Sequence, residues 1–253
     1  MTRRALGVYA AFAFLFLHLP LLILVAFSFN ASRFTIWQGF SWRWYQAAIA
    51  DPQLAEGLLN SLIIAAVAAT ISTVIGTLAA YGMWRRGAPL LSGALYLSLV
   101  TPEIVTGVSL LALFQWIFRF LHLPLGMHTV VIAHVAFSIA YVTIVISARL
   151  RHYDRSLEEA AMDLGATEWA AFRRVTLPWL LPAVAAAGLL ALVVSFDDYV
   201  ITSLVAGVDS ETLPMVIYAM ARRGVSPVVN AVSAFIVVVF GGLILVAQKL
   251  GER

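Results

Sequence analysis

The sequence predicts an all-α integral membrane protein with six transmembrane helices, and three observations support that prediction. Hydrophobic residues make up 62% of the 253 residues and charged residues only 11%, whereas soluble domains carry roughly 25% charged residues. Several apolar runs reach the roughly 20 residues that a helix needs to cross a bilayer. Basic residues are concentrated in alternate loops, as expected for a multi-pass membrane protein.

Hydropathy places six candidate spans along the chain. The first follows Arg3 and Arg4, but its apolar core is too long for a signal peptide and no small-residue cleavage site follows, so it is expected to be retained. The third run is too long for one simple span, and Pro102 is expected to break or kink it. The six spans lie near residues 6–29, 58–83, 88–117, 127–149, 179–205 and 228–249.

The basic residues predict that both termini are cytoplasmic. With the N-terminus inside, 11 of the 16 Lys and Arg residues fall on the cytoplasmic side and 5 on the external side, which is the positive-inside bias. The cytoplasmic set is Arg3, Arg4, Arg85, Arg86, Arg149, Arg151, Arg155, Arg173, Arg174, Lys249 and Arg253. The external set is Arg33, Arg43, Arg119, Arg222 and Arg223.

Two external segments, 30–57 and 206–227, connect the spans. The first is rich in tryptophan and is expected to contain a short interfacial helix, with Trp42 and Trp44 as anchors at the membrane surface. The whole chain, 1–253, is expected to form a single transmembrane domain with a cytoplasmic loop at 150–178.

That cytoplasmic loop contains the most polar stretch of the chain, residues 156–178. Ser156 followed by Glu159 matches a capping box, which predicts that a helix begins at this point. Gly165 suits the left-handed position that ends a helix. One face of this helix is apolar, with residues at positions i, i+3, i+4 and i+7: Leu157, Ala160, Ala161 and Leu164.

A second short helix is predicted to follow directly. Thr167 can cap it, and Pro178 fits the first turn of the next membrane helix. The loop could lie on the lipid surface, but membrane-surface helices favour bulky apolar residues and many lysines. The small alanines of this loop instead favour close contact with a protein partner.

The spacing of the loop resembles the EAA loop of bacterial ABC-importer permeases. In Glu159-Ala160-Ala161, three residues, Gly165, nine residues and Val175-Thr176-Leu177-Pro178, only Val175 departs from the family pattern, which has isoleucine there. The resemblance implies the type I, MetI-like permease fold, with the loop as a coupling helix that docks onto a cytoplasmic ATPase. The positions it assigns to coupling are Glu158, Glu159, Ala160, Ala161, Asp163, Leu164, Gly165, Ala166, Leu177 and Pro178.

The same resemblance implies the partners and the location. The chain lacks the G-x-x-x-x-G-K-[ST] phosphate loop, so no cofactor is expected on it, and ATP and Mg²⁺ are expected on the ATPase. A dimeric ATPase, a second permease that is related but different, and an external solute-binding protein are the implied partners. The implied location is the bacterial inner membrane, and the implied mechanism is alternating access.

Other segments resemble the spermidine/putrescine branch of this family and imply a polyamine as solute. They are Asn60-Ser61-Leu62 and the stretches at 101–111, 195–207 and 212–231. A permease for an opine, an amino-acid derivative or a sugar is the alternative within the class. A partner-free channel or an intramembrane enzyme is the alternative from another class, although Gly107-Val108-Ser109 lacks the second glycine of a nucleophile elbow.

Acidic residues in apolar runs are costly and are candidates for function. Glu103 follows Pro102, and Asp197 and Asp198 lie about 30 Å along a helix from Pro178, toward the external half of the fifth span. Such carboxylates could line a cation path, although helix-end solvation or interhelical bonding would also account for the aspartates. Aromatic residues that could stack on ammonium groups are Phe114, Trp116, Phe196 and Tyr199.

The five histidines, at 18, 122, 128, 134 and 152, show no metal-ligand spacing, so no metal site is expected. His18 and His134 lie within spans and are expected to be hydrogen-bonded packing residues.

Overall fold

The computed structural model describes residues 3–34, 36–121, 123–224 and 227–251, and the side chains of residues 3, 4, 121 and 243–251 are outside that description. Of the residues used above, His122 and Arg253 therefore lie outside the described residues, as do the side chains of Arg3, Arg4 and Lys249. Within the described ranges the fold is helical, and strand-like pairing is limited to an isolated bridge between Asn30 and Phe40.

Twelve α-helices occur in the described residues, and a π-helical segment, Phe172–Thr176, joins the eighth to the ninth. They are α1 (Arg3–Ser28), α2 (Arg43–Ala50), α3 (Pro52–Arg86), α4 (Pro89–Val100), α5 (Glu103–Leu121), α6 (Met127–Leu150), α7 (Ser156–Asp163), α8 (Glu168–Ala171), α9 (Leu177–Asp197), α10 (Val200–Val205), α11 (Leu213–Arg222) and α12 (Pro227–Gly251).

The predicted all-α membrane architecture is confirmed. Among the described residues, five helical runs are long and apolar enough to cross a membrane: Ala5–Ser28, Pro52–Arg86, Glu103–Phe120, Met127–Leu150 and Glu168–Asp197. The sixth predicted span corresponds to α12, whose segment Pro227–Gly242 is a shorter apolar helix.

Two predicted spans are interrupted. The break at Pro102 is confirmed: α4 ends at Val100, and Thr101 has extended backbone (φ −67°, ψ 128°), as expected for a residue before proline. The prediction of one continuous fifth span over 179–205 is wrong. Helix α9 ends at Asp197, and Asp198 is extended (φ −68°, ψ 123°) before α10 begins.

The chain forms two compact units, Gly57–Met215 with Leu243–Arg253, and Met1–Glu56 with Val216–Gly242. In the unit that contains Gly57–Met215, α3, α6 and α9 pack closely through small residues. A Cβ on Gly76 would lie 2.7 Å from Cγ1 of Val142, and one on Gly188 would lie 3.1 Å from Oγ1 of Thr73. A second core lies between α5, α6 and α10, around buried Phe114, Val130 and Ile201.

The same unit contains the Asn60-Ser61 pair. Asn60 Nδ2 donates to the carbonyl oxygen of Glu211 over 2.9 Å, and the backbone N–H of Leu213 donates to Ser61 Oγ over 2.9 Å. Both side chains are buried. The pair therefore ties the start of the second span to the segment that leads into α11.

In the other unit, Asn30 organises the segment that follows α1. Its side-chain oxygen accepts from the backbone of Ser32 and Gln38, and its carbonyl oxygen accepts from Trp44 Nε1 over 2.7 Å. The predicted short helix is present as α2, with Trp44 buried and Trp42 exposed.

Candidate functional site

The turn after α7 has the geometry that the sequence predicts. Gly165 has a φ of +89°, a left-handed conformation that favours glycine. Its N–H donates to the carbonyl of Met162 over 2.9 Å, and Ala166 N–H donates to the carbonyl of Ala161 over 3.0 Å. These two bonds form a Schellman motif.

The cap that follows this turn is also confirmed. Thr167 Oγ1 accepts from Ala170 N–H over 3.2 Å at the start of α8. However, α8 does not end as a separate helix, because the π-helical segment leads directly from it into α9. Pro178 lies in the first turn of α9, as predicted.

The predicted capping box at the start of α7 is wrong. Ser156 is the first helical residue, and the preceding Arg155 makes no side-chain cap. Asp154 Oδ1 instead accepts from Ser156 N–H over 3.0 Å, and hydrogen bonds from the side chain and backbone of Ser156 lower the pKa of Asp154. Glu159 pairs with Arg155, with 3.4 Å between Oε1 and Nε.

Glu158 anchors α7 from within the protein. It is 1% exposed, accepts a hydrogen bond from Thr176 Oγ1 in the π-helical segment, and has Oε2 4.0 Å from Nη1 of Arg85 at the end of α3. The hydroxyls of Thr176 and Tyr153 lie 3.1 Å apart, and burial raises the pKa of Tyr153. The base of the loop is thus tied to two membrane helices.

The outer side of α7 is exposed and carries apolar as well as charged side chains. Leu164 is 90% exposed, and Leu157 is half-exposed. Trp169, in α8, is also exposed. Among the other predicted coupling residues, Ala161, Ala166 and Leu177 are partly buried, and the exposed ones are Glu159, Ala160, Asp163, Gly165 and Pro178. Contiguous exposed apolar surface marks sites of protein or membrane contact, and these apolar side chains are the candidates for such a contact.

A second feature is a cavity of about 370 Å³ at the two helix breaks. It brings Glu103 of the α4–α5 break together with Asp197, Asp198 and Tyr199 of the α9–α10 break. Four of the six residues predicted for a substrate path therefore share one cavity. Its other lining residues are Ser98, Leu99, Thr101, Thr106, Phe137, Tyr141, Val193, Val194, Val200 and Ile201.

The two aspartates differ in their surroundings. Asp198 accepts from the N–H of Thr202 over 2.8 Å and from its hydroxyl over 2.7 Å, and its Oδ2 lies 3.3 Å from Nε2 of His134. Asp197 and Glu103 are exposed, and within the described residues neither makes a hydrogen bond or an ion pair.

The other two predicted path residues lie elsewhere. Phe196 is buried in α9, and Trp116 is exposed on α5 with its ring against Phe120. Phe114 packs on Phe118 in the second core.

Sequence reasoning missed the aromatic wall of the cavity. Phe137 and Tyr141 are four residues apart on α6 and therefore share one face. Their spacing within a span is a signal that could have indicated them. His134 is a hydrogen-bonded buried residue, as predicted, and His18 Nδ1 lies 2.8 Å from the carbonyl oxygen of Phe14.

Comparison with known proteins identifies the family to which the chain belongs. A family model described as binding-protein-dependent transport system inner membrane component matches residues 72–250. The spermidine/putrescine transport system permease protein PotC of Haemophilus influenzae is 40% identical over 230 residues, which cover 89% of this chain and 88% of the relative. The putrescine transport system permease protein PotI of Escherichia coli K12 is 42% identical over 234 residues, covering 90% and 83%.

Among solved structures, a bacterial ABC transporter involved in the import of the acidic polysaccharide alginate has a chain with a TM-score of 0.75 and 17% identity. The match covers 99% of this chain and 94% of that chain, and at this identity it shows the fold alone. The relatives are permease proteins, which are transport components rather than enzymes. The chain belongs to the family of binding-protein-dependent transport system inner membrane components, the multi-pass permeases of ABC importers.

Proposed function

We propose that this permease forms half of the translocation pathway for a polyamine, putrescine or spermidine, in an ATP-driven importer. The observation that carries the proposal is the cavity at the two helix breaks, which presents the carboxylates of Asp197 and Glu103, neither of which has a hydrogen-bond or ion-pair partner among the described residues. Linear polyamines carry ammonium groups separated by methylene segments, so they need both anionic and apolar contacts.

The cavity lining matches that chemistry. Carboxylates form strong charge-assisted hydrogen bonds with ammonium groups and can replace their lost hydration. Phe137 and Tyr141 offer ring faces that attract cations. The names of the relatives from Haemophilus influenzae and Escherichia coli, which include spermidine or putrescine, support the same class of solute.

In this proposal, α7 couples ATP hydrolysis on the ATPase to the movement of the membrane helices. Its exposed leucines and the turn at Gly165 dock into a cytoplasmic ATPase dimer, and Glu158 and Thr176 carry the movement into α9. ATP and Mg²⁺ bind to the ATPase, and this chain contributes no cofactor. Closure of the ATPase then moves the membrane helices between inward-open and outward-open states.

The remaining partners follow from the same proposal. A second permease, related but different, supplies the other half of the pathway, and an external binding protein delivers the solute. Both termini and α7 lie on the cytoplasmic side, where most of the basic residues are. The segments 30–57 and 206–227 then face the binding protein.

A competition experiment tests the solute class. Vesicles that hold the complete complex take up radiolabelled putrescine, and a tenfold excess of spermidine should suppress that uptake. Equal excesses of an opine, an amino-acid derivative and a neutral sugar are the matched competitors and should leave uptake unchanged. Suppression by one of these three instead of spermidine would assign the permease to that solute class.

A further inference from the structure

We infer that Asp198 and His134 form a buried tether that fixes the break between α9 and α10, so that Asp197 alone of the acidic pair faces the solute. This inference rests on the proposed function and divides the work within its site. Asp198 is then a positioning residue, and Asp197 is the residue that contacts the solute.

The tether crosses the break in the fifth span. His134, on α6, is fully buried. Its Nδ1 lies 2.7 Å from Oγ of Ser195 in α9, and its Nε2 lies 2.9 Å from Oγ1 of Thr202 in α10. One imidazole ring therefore contacts both sides of the break and holds them at a fixed place on α6.

The protons of this cluster can be assigned by donor counting. Thr202 has a single hydroxyl proton, which it donates to Asp198 Oδ2 over 2.7 Å. Thr202 Oγ1 must therefore accept from His134, which places a proton on Nε2. The same Nε2 also lies 3.3 Å from Asp198 Oδ2.

Asp198 is consequently occupied by internal donors. Besides the Thr202 hydroxyl, it accepts from the backbone N–H of Thr202 over 2.8 Å and of Ile201 over 3.4 Å, and Nε2 of His134 lies 3.3 Å from its Oδ2. Its side chain is 6% exposed. A carboxylate with this many donors replaces its hydration inside the protein and has little capacity left for a passing ammonium group.

Asp197 is in the opposite situation. It is the last residue of α9, whereas Asp198 is already extended. Asp197 is exposed at the cavity and, within the described residues, is not held by any donor. It is therefore available to bind an ammonium group.

Cysteine accessibility tests this division, because the chain has no cysteine of its own. In the complete complex, Asp197→Cys and Asp198→Cys are treated with a methanethiosulfonate that carries a trimethylammonium group, and modification of this chain is followed by mass. We expect the reagent to modify position 197 at least about tenfold faster than position 198, because the reactive thiolate forms readily only where it is exposed. Equal rates, or a faster reaction at position 198, would overturn the inference.

A second measurement reports on positioning itself. In the Asp197→Cys background, Asp198→Asn keeps an oxygen that can accept from Thr202, whereas Asp198→Ala removes the tether. We expect the alanine variant to change the labelling rate at position 197 severalfold and the asparagine variant to leave it near the parent rate. A labelling rate that is the same in all three proteins would show that Asp198 does not position Asp197.

Uptake separates the inference from the proposed function. Asp197→Asn should lower the maximal putrescine uptake rate by about tenfold or more, since hydrogen bonds to charged groups commonly contribute that much, and Asp198→Asn should lower it less. The labelling contrast does not depend on the identity of the solute. Absence of both putrescine and spermidine uptake in the wild type would therefore refute the polyamine assignment alone, whereas a greater loss in Asp198→Asn would refute the inference alone.

Discussion

Two adjacent glutamates of α7 show how strongly neighbouring side chains can differ. Successive residues of a helix point about 100° apart, so Glu158 faces the protein and Glu159 faces outward. Glu158 is buried, accepts from Thr176 and lies 4.0 Å from partly buried Arg85, whereas Glu159 forms an exposed pair with Arg155. The loop is therefore fixed at its base and free on its outer face.

This difference predicts unequal effects of two matched substitutions. Glu158→Ala removes a buried carboxylate that accepts from Thr176 and lies 4.0 Å from Nη1 of Arg85, and the loss of a buried hydrogen-bond partner costs about 1–3 kcal/mol. Glu159→Ala removes an exposed i,i+4 pair that contributes only about 0.3–0.5 kcal/mol. Thermal unfolding of the purified complex should show a clearly lower midpoint for Glu158→Ala alone, and equal shifts in both variants would contradict the anchor role.

The sequence could not separate these two glutamates. The pattern of Ser156 and Glu159 matched a capping box, but in the structure Asp154, not Glu159, accepts from the Ser156 N–H. This is the common local bond of an aspartate to the backbone two residues further along the chain. The burial of Glu158 depends on Arg85 and Thr176, which are distant in sequence. Only the folded structure brings those partners together.

At the scale of the element, α7 is a short helix that carries exposed Leu157 and ends at the left-handed turn at Gly165. Leu164 lies next to that turn and is 90% exposed. An exposed leucine of this kind gains free energy when a partner covers it, by about 25 cal/mol per Å² of buried apolar surface. A charged side chain at position 164 would instead lose its hydration when the partner covers it, which is unfavourable.

Leu164→Glu should therefore weaken the association with the ATPase. Val208, which is 86% exposed on the segment after α10, offers a matched control with the same change on the side assigned to the exterior. After affinity purification of the permease, the amount of ATPase should fall severalfold for Leu164→Glu and stay at the wild-type level for Val208→Glu. Normal recovery with Leu164→Glu would exclude α7 as the docking element.

Elements set by local backbone rules could be predicted, and elements set by distant contacts could not. The break before Pro102, the left-handed Gly165 and the cap by Thr167 each follow from one residue and its neighbours. The π-helical segment contains Thr176, which bonds to Glu158, and the break at Asp198 is bound to His134 on another helix. Neither leaves a local signal in the sequence.

At the scale of the whole molecule, the two broken spans carry the candidate solute site. Glu103 and Asp197 are far apart in the sequence, yet both line the cavity at the breaks. The sequence indicated these carboxylates through their cost in an apolar run, but their convergence and the aromatic wall required the packing of α6 between the breaks. The cavity lies at the end of α9, and α7 is anchored near its start, so α9 links the two sites.

In the proposed function, ATP hydrolysis on a partner drives polyamine movement through this permease. The most direct measurement is the concentration of radiolabelled putrescine inside proteoliposomes that hold the permease pair, the ATPase and the binding protein. With ATP, the internal concentration should rise severalfold above the external one, and with a non-hydrolysable ATP analogue it should not. Equilibration to equal concentrations with either nucleotide would contradict the claim, because it would identify a channel instead of a driven importer.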